Sequence, residues 1–376
     1  MTSPLPSVTL DRSIGSGLAS FPLQVRAGPA SWDDLSGVLA RLGAERFLLL
    51  TDPGVPVAHV ERVGRLLQTA APTRLVTTAG PSAVPSGSVV VALGGTGVLD
   101  AAAAPAARSG RRPVLLPTTL PAMADTALSL SGPAGPRPVP ALVRAQLEFL
   151  GTLAPGAVRP GLYAVVRNVL SVCPASYDQV CARLRPDGRY DRRALACFLA
   201  LCADARTALT CYDPLEEGPA GVLRYGHAVA GALRLLGVGA LRYGDAVALG
   251  MLVAARCARE LGLLGAGDER AHRELLARWG APAVLPSPVT ADDVLRALWQ
   301  QPGTDTVGMV LLEGLGRPHV RAGRTVTEVG RDVLRSGLAA TAPAAAAVPA
   351  PAAGPPARTQ PGPPAHVPGT PGRPAW

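Results

Sequence analysis

A histidine and an aspartate open two successive helical patterns in one stretch of the chain. In LRYGHAVAGALRLLGVGALRYGDAVALGM, residues 223–251, His227 follows Gly226 and Asp245 follows Gly244. Small or apolar residues at Val247, Gly250, Met251, Ala254, Ala258 and Leu261 give the spacing of a buried helical face. The pattern predicts two helices joined by a glycine-containing turn. A His and an Asp at two helix N-termini would face one cleft, where backbone N–H groups favour an anion; otherwise they are ordinary first-turn residues.

A second stretch has the chemistry of a phosphate cradle. SVVVAL, residues 88–93, reads as a buried strand and runs into Gly94-Gly95-Thr96-Gly97 and then a helix. The turn departs from G-x-G-x-x-G, so by itself it is equally a tight strand-to-helix connection. What the chain lacks is also informative. All 36 basic residues are arginine, which removes Schiff-base chemistry and any phosphate site built on an ammonium group. The six cysteines form no C-x-x-C pair, so no zinc or redox motif is present and buried free thiols in a cytosolic protein are expected.

The elements that must hold these residues alternate in the first half. Helices are predicted over Ser31–Leu42, with Ser31 as N-cap, and over Val57–Gln68. Strands are predicted at Phe47–Thr51, Arg74–Thr77, Ser88–Leu93 and Pro113–Leu116, with a helix at Val98–Ala107. This alternation predicts a doubly wound parallel sheet. Helices then dominate: Tyr177–Leu184, Arg192–Leu209, Arg270–Trp279, Ala291–Trp299 and Thr325–Ser336. A small hairpin is expected from Val307–Leu312 and His319–Val320.

Several motifs together resemble the dehydroquinate synthase-like sugar-phosphate cyclases, the family of 3-dehydroquinate synthase and 2-deoxy-scyllo-inosose synthase. LRYGHAVAGA and RYGDAVALGM are similar to the family's L-N-x-G-H-T-x-G-H-A and H-G-E-A-V-A-x-G-M. VALGGTGVLD, residues 91–100, resembles V-A-L-G-G-G-V-V-G-D, with Gly94, Gly95 and Asp100 matched. LLPTTLPAMADTALSLSG, residues 115–132, matches the family at Thr118, Thr119 and Asp125, and EFLGTLAPGAVRPGLYAVVRNVL, residues 148–170, matches a further segment. The resemblance covers roughly residues 45–338.

It implies a fold of two parts: a Rossmann-like α/β domain over residues 21–146, after a loose arm at 1–20, and a mainly helical domain over 147–338. It also implies NAD held by Gly94, Gly95, Asp100, Thr118, Thr119 and Asp125, and a divalent metal held by one Glu and two His. Of those ligands only His227 is matched, while Ala164 and Tyr243 stand at the other two positions. Gly231 and Ala220 replace a further family His and Arg, Arg224 replaces an Asn, and Arg167 replaces a Lys while keeping a charge for phosphate. Zinc or cobalt is therefore not expected, and NAD is expected to bind weakly. The favoured expectation is a degenerate, non-catalytic member in cyclitol-type secondary metabolism. The alternative is an active enzyme working without zinc through His227, Asp245, Arg167 and Arg224.

Composition sets the outer bounds. The net charge of +9 would suit nucleic acid, but the arginines are scattered and no nucleic-acid motif occurs. No apolar run is long enough for a membrane span and no signal segment opens the chain, so a cytoplasmic protein is expected. The partners expected are a sugar phosphate or cyclitol ligand and a second copy of the chain or a biosynthetic enzyme. Residues 339–376 are rich in Ala, Pro and Gly with no acidic side chain, and a disordered tail is expected there.

Overall fold

The computed structural model describes residues 7–78, 84–239, 241–299 and 305–341. Strands β1 (Val8–Ser16) and β2 (Ala19–Ala27) form an antiparallel hairpin. Five parallel strands extend it: β3 (Arg46–Thr51), β4 (Thr73–Thr77), β5 (Ser88–Gly94), β6 (Val114–Pro117) and, after a two-stranded excursion through β7 (Ser131–Gly132) and β8 (Gly135–Pro136), β9 (Leu142–Gln146). The order across the seven-stranded sheet is β1-β2-β9-β6-β5-β3-β4. Every residue of β5 is buried, as a strand covered on both faces requires. Helices α1 (Asp33–Arg41), α2 (Val57–Gln68) and α3 (Thr96–Ser109) provide the crossovers, and the short α4 (Leu120–Ala124) follows β6.

Beyond β9 the chain is mainly helical: α5 (Pro155–Val158), α6 (Tyr163–Ser171), α7 (Tyr177–Arg183), α8 (Arg192–Thr210), α9 (His227–Leu235), α10 (Tyr243–Glu260), α11 (Ala266–Trp279), α12 (Ala291–Leu298) and α13 (Arg331–Ala339). One continuous apolar core, largely Leu, Val and Ala, runs from the sheet through these helices.

From Val8 onward the N-terminal arm is not loose. Val8 and Ile14 are buried on one face of β1, and the hairpin pairs over nine residues. It is also pinned to α8: Gly17 N donates to Thr210 O at 2.9 Å and Thr210 Oγ1 donates to Gly15 O at 2.6 Å. Gly15 permits the approach, since a Cβ there would lie 2.4 Å from Cys211 Sγ. Ser31 does not cap α1, whose N-cap is Trp32; its hydroxyl instead accepts from the Gln146 amide.

Strand β9 was not marked by the sequence. Its Arg144 interrupts the apolar run, yet is fully buried, held by Asp34 Oδ1 at 2.6 Å and Gln24 Oε1 at 2.8 Å. The C-terminal expectation also changes. Thr325–Ser336 is not one helix: β13 (Val326–Gly330) pairs antiparallel with β10 (Thr306–Val310), and α13 begins at Arg331. Between them β11 (Leu312–Gly314) pairs antiparallel with β12 (Arg317–Pro318) and His319 N donates to Leu311 O at 2.9 Å, so the small hairpin forms from Leu311 onward while Val307–Val310 pairs with β13 instead. Of the tail expected from 339, residues from 342 onward lie outside those described.

Candidate active-site cleft

Glycines fix where α9 and α10 meet. Gly226, the N-cap of α9, has φ +85°, and a Cβ there would lie 2.6 Å from Val247 O. At Gly250 a Cβ would lie 1.9 Å from Gly226 O, and at Gly244 it would lie 1.9 Å from Pro160 O. Backbone therefore touches backbone at three places, and no larger residue fits. The result is that His227 at the start of α9 and Tyr243 at the start of α10 share one cleft.

This cleft has a volume of about 620 Å³. On the sheet side it is lined by residues following the carboxyl ends of β5 and β6, including Thr96, Asp100 and Thr119, the usual ligand side of such a sheet. The turn after β5 is tight because a Cβ on Gly94 would lie 2.4 Å from a Val98 methyl. Gly95 caps α3, and Thr118 N donates to Gly94 O at 2.9 Å. Thr119 caps α4 and lines the cleft, whereas Thr118 is buried behind it.

Asp125, just after α4, is the polar centre. Arg167 reaches it with two donors, at 3.0 Å to Oδ1 and 3.3 Å to Oδ2. Tyr163 donates to Oδ2 at 2.6 Å, and Arg206 of α8 also donates to Oδ1. Burial pushes the Asp125 carboxyl up, but the two guanidiniums outweigh it and hold it well below the usual carboxylate range. Arg206 continues the chain of charge to Glu216, which also accepts from Ser129 Oγ at 2.7 Å. Glu216 is buried at φ +60°, a backbone region costly for a residue with a side chain. Its carbonyl accepts from Arg224 at 2.9 Å.

His227 stands against two phenol rings, 6.2 Å from Tyr163 and 5.8 Å from Tyr243 between ring centres. The ring is partly exposed, but Nε2 is shielded and has no hydrogen-bond partner among the described residues. Burial first, then Arg167, pushes its pKa down to about 4, with Asp125 opposing. At neutral pH this imidazole is uncharged and can accept a proton or ligate, but not donate as a cation. The ligand-position residue Ala164 is fully buried on α6 and offers no lone pair.

The other expected residues divide. Asp100 lines the cleft but is paired with Arg137. Arg167 is placed at the centre through Asp125. Asp245 does not face the cleft as expected; it is buried and ion-paired with Arg159 at 2.8 Å, because the tight contact of Gly244 with Pro160 turns that side of α10 against the loop before α6. Arg224 is exposed and spends its reach on the Glu216 carbonyl. Sequence reasoning missed Tyr163, Arg206, Glu216, Arg234 and Arg242. The i, i+7 spacing of His227 and Arg234, which sets both on one helical face, was a signal that could have found one of them.

The fold is of the dehydroquinate synthase-like class, and the comparisons show the family. Residues 171–301 match the family model described as 3-dehydroquinate synthase C-terminal. The chain is 34% identical over 342 residues to a 2-deoxy-scyllo-inosose synthase of Streptomyces kanamyceticus, covering 80% of this chain and 88% of that one. It is 34% identical over 361 residues to that of Streptomyces lividus, covering 86% and 94%. The chain belongs to the dehydroquinate synthase-like sugar-phosphate cyclases.

In three dimensions it resembles a 2-deoxy-scyllo-inosose synthase solved with carbaglucose-6-phosphate, NAD+ and Co2+, with TM-score 0.79, 22% identity and coverage of 88% of this chain and 99% of that one. It also resembles a 2-epi-5-epi-valiolone synthase from Streptomyces hygroscopicus solved with NAD+ and Zn2+, with TM-score 0.66, 19% identity and coverage of 88% and 98%. These structures overturn the expectation that zinc or cobalt has no place: the fold is one that holds either metal beside NAD+. The donors at this position are a separate matter. Among the described residues no three His, Cys, Asp or Glu side chains converge. One free imidazole nitrogen, two phenols and an already paired carboxylate do not make a three-ligand set.

Proposed function

We propose that this cyclase-family chain binds a sugar phosphate or cyclitol ligand in the cleft of His227, Tyr163 and Tyr243, and does not complete the ring-forming reaction of its relatives. One observation carries the reading. Asp125 is occupied by Arg167, Arg206 and Tyr163, while Ala164 presents only a methyl group. Forming a carbocycle requires several proton transfers in register. A buried carboxylate neutralised by two guanidiniums is a weak base, and a neutral imidazole can assist one transfer, worth roughly 10²–10⁴-fold. The dinucleotide proposed for the Gly94–Gly95 turn is NAD+, as in the solved relatives. The chain would then act in aminocyclitol-type biosynthesis as a binding partner, to a second copy or to another enzyme.

A second reading, an active cyclase with an altered site, is favoured by His227, which lines the cleft with a neutral imidazole whose Nε2 has no partner among the described residues. The two part in one assay. Purified chain is incubated with glucose 6-phosphate, NAD+ and excess Co2+ or Zn2+, and the products are followed by mass spectrometry. No carbocycle supports the first reading; a carbocycle whose formation is lost in His227→Ala supports the second.

A further inference from the structure

The cleft carries two guanidiniums that nothing in the site uses. Arg234 and Arg242 both line it and both are exposed. Neither side chain has an ion-pair or hydrogen-bond partner among the described residues, and all acidic side chains of the chain lie within those residues. The other charges of the cleft are cancelled locally, Asp100 by Arg137 and Asp125 by Arg167 and Arg206. The cleft therefore keeps two positive charges that no described acidic side chain compensates. Arg234 lies two helical turns from His227 on one face of α9, and Arg242 immediately precedes Tyr243, whose ring stands 5.8 Å from that of His227. Apolar residues such as Leu153, Ala157 and Pro160 line the same cleft.

We infer that Arg234 and Arg242 form the anion subsite of this cleft and grip the phosphate ester of a phosphorylated polyol whose ring lies against Tyr163, His227 and Tyr243. Guanidinium matches the phosphate geometry with paired donors, each a charge-assisted bond. The chain has no lysine for this task. The assignment rests on the proposed reading that the ligand is a phosphorylated polyol, and it adds the residues that select for the phosphate. A phosphate could also come from the pyrophosphate of a dinucleotide, so the test separates the two sources.

The experiment is isothermal titration of the full chain, and of Arg234→Gln and Arg242→Gln, with glucose 6-phosphate, glucose, inorganic phosphate and NAD+. Both arginines are exposed, so the variants should keep the native unfolding midpoint, which is checked first. Expected results are glucose 6-phosphate binding at least about tenfold tighter than glucose, since bonds to charged groups are stronger than neutral ones, a loss of about tenfold in each variant, and unchanged NAD+ binding. Affinity should also fall as salt rises. Equal binding of glucose and glucose 6-phosphate, or variants that hold both phosphates as well as the native chain, would overturn the assignment. A loss confined to NAD+ would overturn it too and give the pair to the pyrophosphate. Because the readout is binding, the outcome is independent of whether any carbocycle is formed.

Discussion

At the residue scale, Asp125 decides most of what the cleft can do. Two arginines from different helices and one phenol converge on it. Removing its charge leaves the buried Arg167 guanidinium without a charged partner, while Arg206 keeps Glu216. Asp125→Asn should therefore cost about 3–5 kcal/mol, measured by denaturant unfolding; a change below 1 kcal/mol, on the order of a surface pair, would contradict the pairing. His227 gives a pH signature. Its folded pKa of about 4 lies below the ordinary 6.5, so the unfolded state binds the proton first. Stability is full above about pH 6.5 and falls as pH drops toward 4, by at most about 3 kcal/mol and closer to about 2 because the ring is partly exposed. The buried His272 is shifted the same way, so the contribution of His227 is the difference between native chain and His227→Gln. An unchanged slope between pH 4 and 6.5 in that variant would remove the shift.

At the scale of elements, the contact of α9 with α10 is set by glycine and not by side-chain packing. Gly250→Ala would place a carbon 1.9 Å from Gly226 O and should destabilise by about 3 kcal/mol or more. Gly231, inside α9, has open space around its missing Cβ, so Gly231→Ala should stabilise by about 0.5–1 kcal/mol. Chemical denaturation of both variants checks the pair, and similar effects in the two would contradict the geometry. These elements were legible because their signals are local: a glycine before a helix, an apolar strand, a 3.6-residue period. The strand holding Arg144 was not, since its charge is compensated by Asp34 from a distant helix. Likewise nothing around Arg206 or Glu216 marks them. They matter only because α8 lies beside Asp125 and because Glu216 takes a backbone conformation no pattern announces. The N-terminal hairpin was misjudged for the same reason, its partner Thr210 being far along the chain.

At the scale of the whole molecule, the parallel sheet supplies a nucleotide-type edge and the helices supply the rings and guanidiniums facing it. Family membership follows from motifs in order along the chain, and those were readable. Whether a metal had a place was misread from ligand positions alone, because solved relatives hold Co2+ or Zn2+ on this fold. The proposed function rests on the set of groups around Asp125 and His227, and the most direct test is chemical. Native chain and the related 2-deoxy-scyllo-inosose synthase of Streptomyces kanamyceticus are each given glucose 6-phosphate, NAD+ and Co2+. Carbocycle and released phosphate are then quantified by mass spectrometry over many hours. The account predicts product from the relative and none from this chain above the level of a His227→Ala control. Product from this chain that disappears in His227→Ala would contradict it and make the altered cleft a working active site.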